Sequence, residues 1–475
     1  MSTPSSPQPS LSQPGPAELE ELRARLGDAR KVVTGQAARE HHSHDFSYHP
    51  PRLPAAVVYP ESTADVQAVL EWAARHRVAV VPFGVGSSLE GHTVPLAGGV
   101  SLDMTRMDAI LEICPEDFLV RVQPGLTRSR LNQRLAREGL FFPVDPGADA
   151  TIGGMIANNA SGTNAVRYGA MKHQVLGLEV VLAGGRVIRT GSRAVKSSAG
   201  YNLTALFVGS EGTLGVVTEA ILRVYPLPEF VLAARAGFAT VEAAARVAVA
   251  LIRAGVPVAR VELVDGATIR AVNGYKGTAY PERPTLFLEF AGPEAAVREE
   301  VALAQELAAL EEAVEFAFET DPAAREKLWE ARHQAALAIA AASPGRRMMA
   351  TDVCVPLSQL PASIRFARQV AEEHGLQAAV LGHVGDGNYH VIFMVDPENP
   401  AEVARAEAVN ERIVRDALAR GGTCTGEHGV GMGKVKYLAA EHGDEAVALM
   451  RSLKGLLDPW GILNPGKVVG TAASS

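Results

Sequence analysis

The chain has 475 residues, of which 47% are hydrophobic and 21% charged, so it is long enough for more than one core and ordinary for a folded protein. A net charge of −8 with a pI near 5.9 argues against a nucleic-acid binder, which presents a basic face. Three scattered cysteines, Cys114, Cys354 and Cys424, have no CxxC spacing, which argues against a disulfide framework, a cysteine-held zinc or an intrinsic iron–sulfur cluster and for a reducing compartment. The proline- and serine-rich start, MSTPSSPQPSLSQPGP, predicts a disordered tail over residues 1–16 and lacks the features of a secretory signal. Leu19, Leu22 and Leu26 then mark one face of a short helix over 18–26. Ser62 or Thr63 caps a second helix, with Val66, Val69, Leu70 and Ala73 on one face. Strands are expected at 78–83, 99–103, 118–123, 178–183, 186–190, 205–208 and 216–225, with Gly184-Gly185 as a hairpin turn.

Pro226-Leu227-Pro228 marks a domain boundary. Beyond it, strands at 231–237, 259–264, 285–290 and 312–318 alternate with helices at 240–254, 265–273 and 295–311. Helices at 321–342 and 359–374, a hairpin at 378–395 and a helix at 400–420 follow, and a last helix spans 444–457. The pattern predicts an α+β architecture whose second domain is an antiparallel sheet with helices on one face. The expected division is a tail at 1–16, a first domain at 17–228, a second at 229–440, and a segment at 441–475 that packs back on the first. No apolar run reaches the 18 or so residues that span a bilayer, so no transmembrane segment is expected.

Three glycine-rich segments stand out. Pro82-Phe-Gly-Val-Gly-Ser-Ser88 follows a strand, and glycines there would let backbone N–H groups close around a phosphate. It is not the Rossmann fingerprint, because Leu89 stands where the third glycine belongs. Pro146-Gly147 leads into Thr151-Ile-Gly-Gly154 and on through Asn158 to Ser161-Gly162, a small uncharged run that suits a closely approaching flat cofactor or a tight helix contact. The third is Gly209-Ser-Glu-Gly212, continuing through Gly215 to Val217. On residue type alone each of these is also a plain turn.

In this order and spacing the three segments resemble those of the vanillyl-alcohol-oxidase-type flavoproteins, which bind FAD between two α+β subdomains. The resemblance implies that Pro82, Gly84, Val85, Gly86, Ser87 and Ser88 belong to the pyrophosphate loop. It implies that Pro146, Gly147, Thr151, Gly153, Gly154, Asn158, Ser161 and Gly162 line the isoalloxazine and ribityl chain, and that Gly212, Gly215 and Val217 lie along the flavin or adenine. His92 follows the first loop, but the branch resembled holds FAD non-covalently, so no covalent link is expected.

The stretch GHVGDGNYH places His383 and His390 about an Asp386-Gly387 pair. Asp-Gly favours a type I′ hairpin turn, which would set His383 directly opposite His390. With Glu427 from GTCTGEHGVGMGK these make a two-histidine, one-carboxylate set that suits a catalytic divalent ion, leaving neighbouring His428 as a base; three separate polar residues are the other reading. The histidines of HHSHDFSYHP near the N-terminus read as a polar segment leading into the fold.

GHVGDGNYH, GTCTGEHGVGMGK, TDVCVP (351–356) and LNPGK (463–467) closely resemble the cytochrome-type D-lactate dehydrogenases, over about 53–468. Relatives include D-2-hydroxyglutarate dehydrogenase, the flavin subunit of glycolate oxidase and alkylglycerone-phosphate synthase. The resemblance implies a ferredoxin-like cap domain that takes substrate and metal. It implies that His383, His390 and Glu427 hold a divalent ion, for which this ligand set suits Zn, Mn, Fe or Co, that His428 is the base and that Asn464 returns to the flavin. Trp329-Glu-Ala-Arg-His333 resembles the family's substrate segment, which makes Arg332 the carboxylate anchor. Where the hydroxyglutarate branch carries polar partners for a second carboxylate, this chain has Ala336, Ala350 and Ile392, which favours lactate or a similar short D-2-hydroxy acid. The expected acceptor is cytochrome c or a quinone, in the cytoplasm or peripherally at a membrane. Rival readings are a glycolate oxidase subunit working with an iron–sulfur partner, a metal-dependent hydrolase, and a flavin-dependent transferase.

Overall fold

In this computed structural model, which describes residues 10–470, the chain forms two compact units. The first holds the residues up to Ala160, Ala170–Pro226 and the chain from His428 on; the second holds Ser161–Gly169 and Leu227–Glu427. Most of the expected tail falls outside the described residues. Inside them, the Ser12 N–H donates to Arg77 O at 2.8 Å and the Gln13 amide to Ala97 O at 2.6 Å. Pro16 then opens the helix Pro16–Leu26, with Leu19, Leu22 and Leu26 buried.

Two larger sheets build the first unit, beside a two-stranded pair of Leu140–Phe141 with Tyr225–Pro226. In the four-stranded one the order is Val32–Val33, Ala56–Val58, Val100–Asp103, Val80–Phe83, with the last three strands parallel. Helix Thr63–His76, capped by the Ser62 side chain on the Asp65 N–H, buries Val66, Val69, Leu70, Trp72 and Ala73 in the same core. Ile462 and Leu463 join that core from the C-terminal segment, and Val80 N–H donates to Ile462 O at 2.8 Å. The second sheet is antiparallel, in the order Ile110–Cys114, Leu119–Val122, Val216–Arg223, Val175–Val181, Val187–Gly191. Its core takes in helices Arg128–Leu135 and Ile152–Asn158. The expected strand at 205–208 is instead the helix Leu203–Phe207, opened by Asn202, whose side chain accepts the Ala205 N–H. A short apolar run fits either structure, and the cap decides it.

The second unit is one extended antiparallel sheet. Its order is Glu315–Glu319, Phe230–Gly237, Thr285–Gly292, Arg260–Val264, Ala378–Gly382, Asn388–Val395, Arg347–Ala350, and Val353–Cys354 also pairs with Asn388–Val395. Helices cover both faces, not one. Gly266–Lys276, Pro322–His333 and Ala335–Ala341 pack on Val264, Phe287, Leu381 and Ile392. The alternate residues, among them Val261, Leu263, Leu288, Val380 and Val391, are buried as well, beneath the layer of Val241–Arg253, Glu294–Leu310, Leu360–Glu373 and Pro400–Ala419. The expected single helix over 321–342 is two, because the chain turns at Gln334 between Pro322–His333 and Ala335–Ala341.

Candidate functional site

Strand pairing puts Leu381 opposite His390 and Ala379 opposite Ile392, two residues out of step with a type I′ turn at Asp386-Gly387. The turn is correspondingly wider. His383 O accepts from the N–H groups of both Asp386 and Asn388 at 3.3 Å, and positive φ occurs at Gly387 (+90°) but not at Asp386. His383 is therefore diagonal to His390 rather than opposite it. A slip of two residues keeps side chains on the same face, so the imidazoles still meet, with ring centroids 5.7 Å apart and planes at 87°.

Both rings turn Nε2 toward one oxygen. His383 Nε2 lies 3.1 Å and His390 Nε2 3.2 Å from Glu427 Oε1. Each Nδ1 has its own acceptor: Glu262 Oε1 at 2.7 Å for His383 and Thr351 O at 3.1 Å for His390. Those acceptors place a ring proton on each Nδ1, so Nε2 is the nitrogen that an ion would take, displacing any proton there. Metal–ligand bonds of about 2.0–2.2 Å put neighbouring ligand atoms roughly 3 Å apart, so the set fits a divalent first-row ion. Burial raises the Glu427 carboxyl, but the two imidazoles outweigh it and hold it well below the usual carboxylate range. Burial likewise opposes charge on His383, and Glu262 and Glu427 outweigh it, leaving the ring well above its ordinary value.

Glu427 is placed by its backbone. Its N–H donates to the carboxylate of Asp352, at 3.1 Å from Oδ2. Asp352 is fully buried and also accepts from Thr425 Oγ1 at 2.7 Å and Asn388 Nδ2 at 2.9 Å, tying the loop before Glu427 to the strand that carries His390. Arg332, 7% exposed, stands with Nη2 2.5 Å from Glu262 Oε2. The contact is off the N–H axis: Nε and Nη2 of Arg332 have no aligned acceptor among the described residues. Ala336, Ala350 and Ile392 fall in one apolar cluster with Trp329 and Ala331. His428 opens the segment that folds with the first unit.

In the first unit the three glycine segments converge. A Cβ on Gly84 would lie 2.3 Å from Thr151 Oγ1, and one on Gly212 2.9 Å from the Pro82 ring. Gly209 N–H donates to Ile156 O and Glu211 N–H to Ala157 O, each at 2.9 Å. Thr151 caps the helix Ile152–Asn158, so Gly153, Gly154 and Asn158 sit on a helix. Gly153 and Gly215 are glycines for packing, since their Cβ positions lie 2.6 Å from Pro124 Cβ and 2.5 Å from Val180 Cγ1. Val85, Gly86, Ser87 and Ser88 form a partly exposed run after buried Phe83, with Ser88 Oγ donating to Asp45. Pro146 and Gly147 lie in the loop before Thr151, Val217 lies on Val216–Arg223, and Ser161 and Gly162 fall in the excursion grouped with the second unit.

The C-terminal segment locks these loops. Asn464 Nδ2 donates to His92 O at 3.1 Å and Glu211 O at 2.8 Å. Glu211 accepts from the N–H groups of Val430 (2.6 Å) and Gly431 (2.8 Å) and lies 3.3 Å from His92 Nε2. Lys467 Nζ donates to Gly91 O and Val94 O, both at 2.7 Å, and its burial lowers its pKa to about 8. The buried Asn464 Oδ1 and His92 Nδ1 have no protein partner among the described residues. Unpaired buried polar atoms beside convergent glycine loops fit a polar cofactor such as FAD. Near the N-terminus, His42 bonds to Ala38 O and Asp103, as a polar lead-in segment would.

Glu262, Asp352 and Glu211 escape the sequence reading as site residues. The one available signal is a lone acid inside an apolar strand, Val261-Glu-Leu-Val264, which predicts a buried partner but does not name it.

Comparison with known proteins bears on the flavin. Residues 54–191 match the FAD binding domain family, and 227–468 match the family of FAD linked oxidases, C-terminal domain. The chain is 45% identical to a probable mitochondrial D-lactate dehydrogenase of Danio rerio, across 94% of this chain and 90% of that one. It is 36% identical to glycolate oxidase subunit GlcD of Bacillus subtilis, across 95% and 96%. In fold it is similar to an alkyldihydroxyacetonephosphate synthase, with TM-score 0.77 at 20% identity over 96% of this chain and 87% of the other. The separate sheet subdomains and the glycine loops agree with these matches, and the chain belongs to the FAD-linked oxidases, a family of flavin-dependent oxidoreductases.

Proposed function

We propose that this chain oxidises D-lactate, or a D-2-hydroxy acid of similar size, to the 2-oxo acid, with non-covalent FAD, a divalent ion on His383, His390 and Glu427, and cytochrome c or a quinone as acceptor. One observation carries the metal part: two Nε2 atoms aimed at one carboxylate oxygen, with both Nδ1 protons already engaged. When bound, the flavin supplies a hydride acceptor and the divalent ion acidifies the substrate hydroxyl. Arg332 receives the substrate carboxylate, for which its unaligned Nε and Nη2 offer two donors in one plane. His428, next to Glu427 in the chain, takes the hydroxyl proton. The cluster of Ala336, Ala350 and Ile392 faces the rest of the substrate with methyl groups, and a second carboxylate there would be buried without a partner. The FAD binding domain match over 54–191 supports FAD binding by residues within 17–228, and this reading assigns substrate binding to residues within 229–440.

Anaerobic titration with D-lactate, L-lactate, glycolate and D-2-hydroxyglutarate, following loss of flavin absorption, tests this. D-lactate should bleach the flavin, L-lactate should not, and a chelator should slow the bleaching. A higher kcat/KM for D-2-hydroxyglutarate than for D-lactate would overturn the substrate assignment. The similarity to glycolate oxidase subunit GlcD over 95% of the chain favours one second reading, a flavin subunit that turns over only with an iron–sulfur partner. Turnover of the isolated chain with an artificial acceptor would reject it.

A further inference from the structure

Glu262 sits in the middle of the strand Arg260–Val264, opposite Phe287, and is fully buried. Its two oxygens have different partners. Oε1 lies 2.7 Å from His383 Nδ1 and Oε2 lies 2.5 Å from Arg332 Nη2. We propose that Glu262 is a positioning residue that fixes the metal-ligating tautomer of His383 and the orientation of Arg332 together, so that the ion and the substrate carboxylate are held in one register. This rests on the metal reading above.

The chemistry favours a carboxylate and no other side chain. Glutamate accepts through both oxygens, whereas glutamine has one acceptor and one donor group and must turn its NH2 toward either Arg332 or His383. Stability does not account for the residue: replacing a buried ion pair by apolar side chains is often neutral or stabilising. Nor does Glu262 saturate the arginine, because Arg332 Nε and Nη2 lack aligned acceptors. The pair is arranged so that the guanidinium is steered without using up its donors. A metal-bound histidine whose other nitrogen meets a carboxylate is a more basic and better oriented ligand, and losing such a partner weakens metal binding about 10–100-fold.

The test is Zn2+ affinity of chelator-stripped protein, measured in competition with a chromophoric chelator, on wild type and Glu262→Gln. Because Glu262→Gln leaves the Arg332 charge buried, Glu262→Gln/Arg332→Met, which removes both charges, is measured beside it, with melting temperature and flavin content as fold controls. The expected result is about 10–100-fold weaker Zn2+ binding in both variants at unchanged flavin content. KM for D-lactate should rise in Glu262→Gln by a larger factor than kcat falls. Wild-type Zn2+ affinity in the double variant would overturn the positioning role while leaving the metal site standing. A wild-type chain that takes up no Zn2+ would overturn the metal reading and this inference with it.

Discussion

Replacing Gly387 by valine should empty the proposed metal site before it disturbs the flavin. A Cβ built on Gly387 lies 2.1 Å from Val355 O, a backbone atom that cannot swing aside. The φ of +90° adds a second penalty. Left-handed backbone costs a non-glycine residue roughly 1–2 kcal/mol, and overpacking about 1–3 kcal/mol, so the turn should bear about 2–5 kcal/mol of strain. The cheapest relief is to part the turn from Val353–Cys354, giving up the Val355 N–H to Gly387 O bond of 3.0 Å. That movement carries His383, at the start of the turn, away from His390 on the strand. Metal content by elemental analysis, flavin content by absorbance and the melting temperature, taken on one preparation, separate the effects. The expected pattern is metal content falling severalfold, a lower melting temperature and flavin near one per chain. Full metal occupancy with native affinity would show that turn geometry does not set the ligand spacing.

Asp352→Ala takes the Asp352 acceptor from the Glu427 N–H and one of two acceptors from Asn388 Nδ2, which keeps Val353 O, at about 1–3 kcal/mol for each group; denaturant unfolding should show a loss of several kcal/mol, and Zn2+ affinity should fall at least tenfold. Asn464→Ala leaves His92 O and Glu211 O without their shared donor, so flavin retention through gel filtration should fall while metal content stays constant. Lys467 has a pKa of about 8 against an ordinary 10.5 because burial penalises its charge. Between those values the unfolded chain binds more protons, so the penalty is full below pH 8 and is relieved as pH rises, by about 3 kcal/mol in all. The stability of wild type relative to Lys467→Met should therefore climb from pH 8 to pH 10, and a flat difference would refute the assignment.

The long elements are legible in the sequence because their evidence is local. Val66, Val69, Leu70 and Ala73 repeat at helical spacing behind a serine cap, and the structure buries all four. What escapes is decided between near-equal local options or by distant partners. The run Leu203–Phe207 satisfies strand and helix patterns alike until Asn202 caps it. Gln334 breaks a stretch whose residues all favour helix. Helices on both faces of the second sheet follow from buried residues of both parities, which the strand sequences show as near-continuous apolar runs such as Thr285–Gly292.

The site divides along the same line. His383 and His390 are legible as a pair because face depends only on parity, and a turn misjudged by two residues leaves parity intact. The residues that make the pair a ligand set are not legible in this way. Glu262 meets a histidine 121 positions later, and Asp352 meets the Glu427 backbone 75 positions later. Neither separation has a period or a spacing rule. Each acid looks in sequence like an error in an otherwise apolar or short polar segment, and burial of a lone carboxylate is costly enough that such an error must be answered somewhere in the fold. A lone acid in a buried strand therefore says that a cationic or hydrogen-bonding partner exists, and the fold supplies its name. Here the answers to Glu262 are Arg332 and His383, the carboxylate anchor and the metal ligand proposed for one substrate, and that coincidence is what separates a site from a salt bridge.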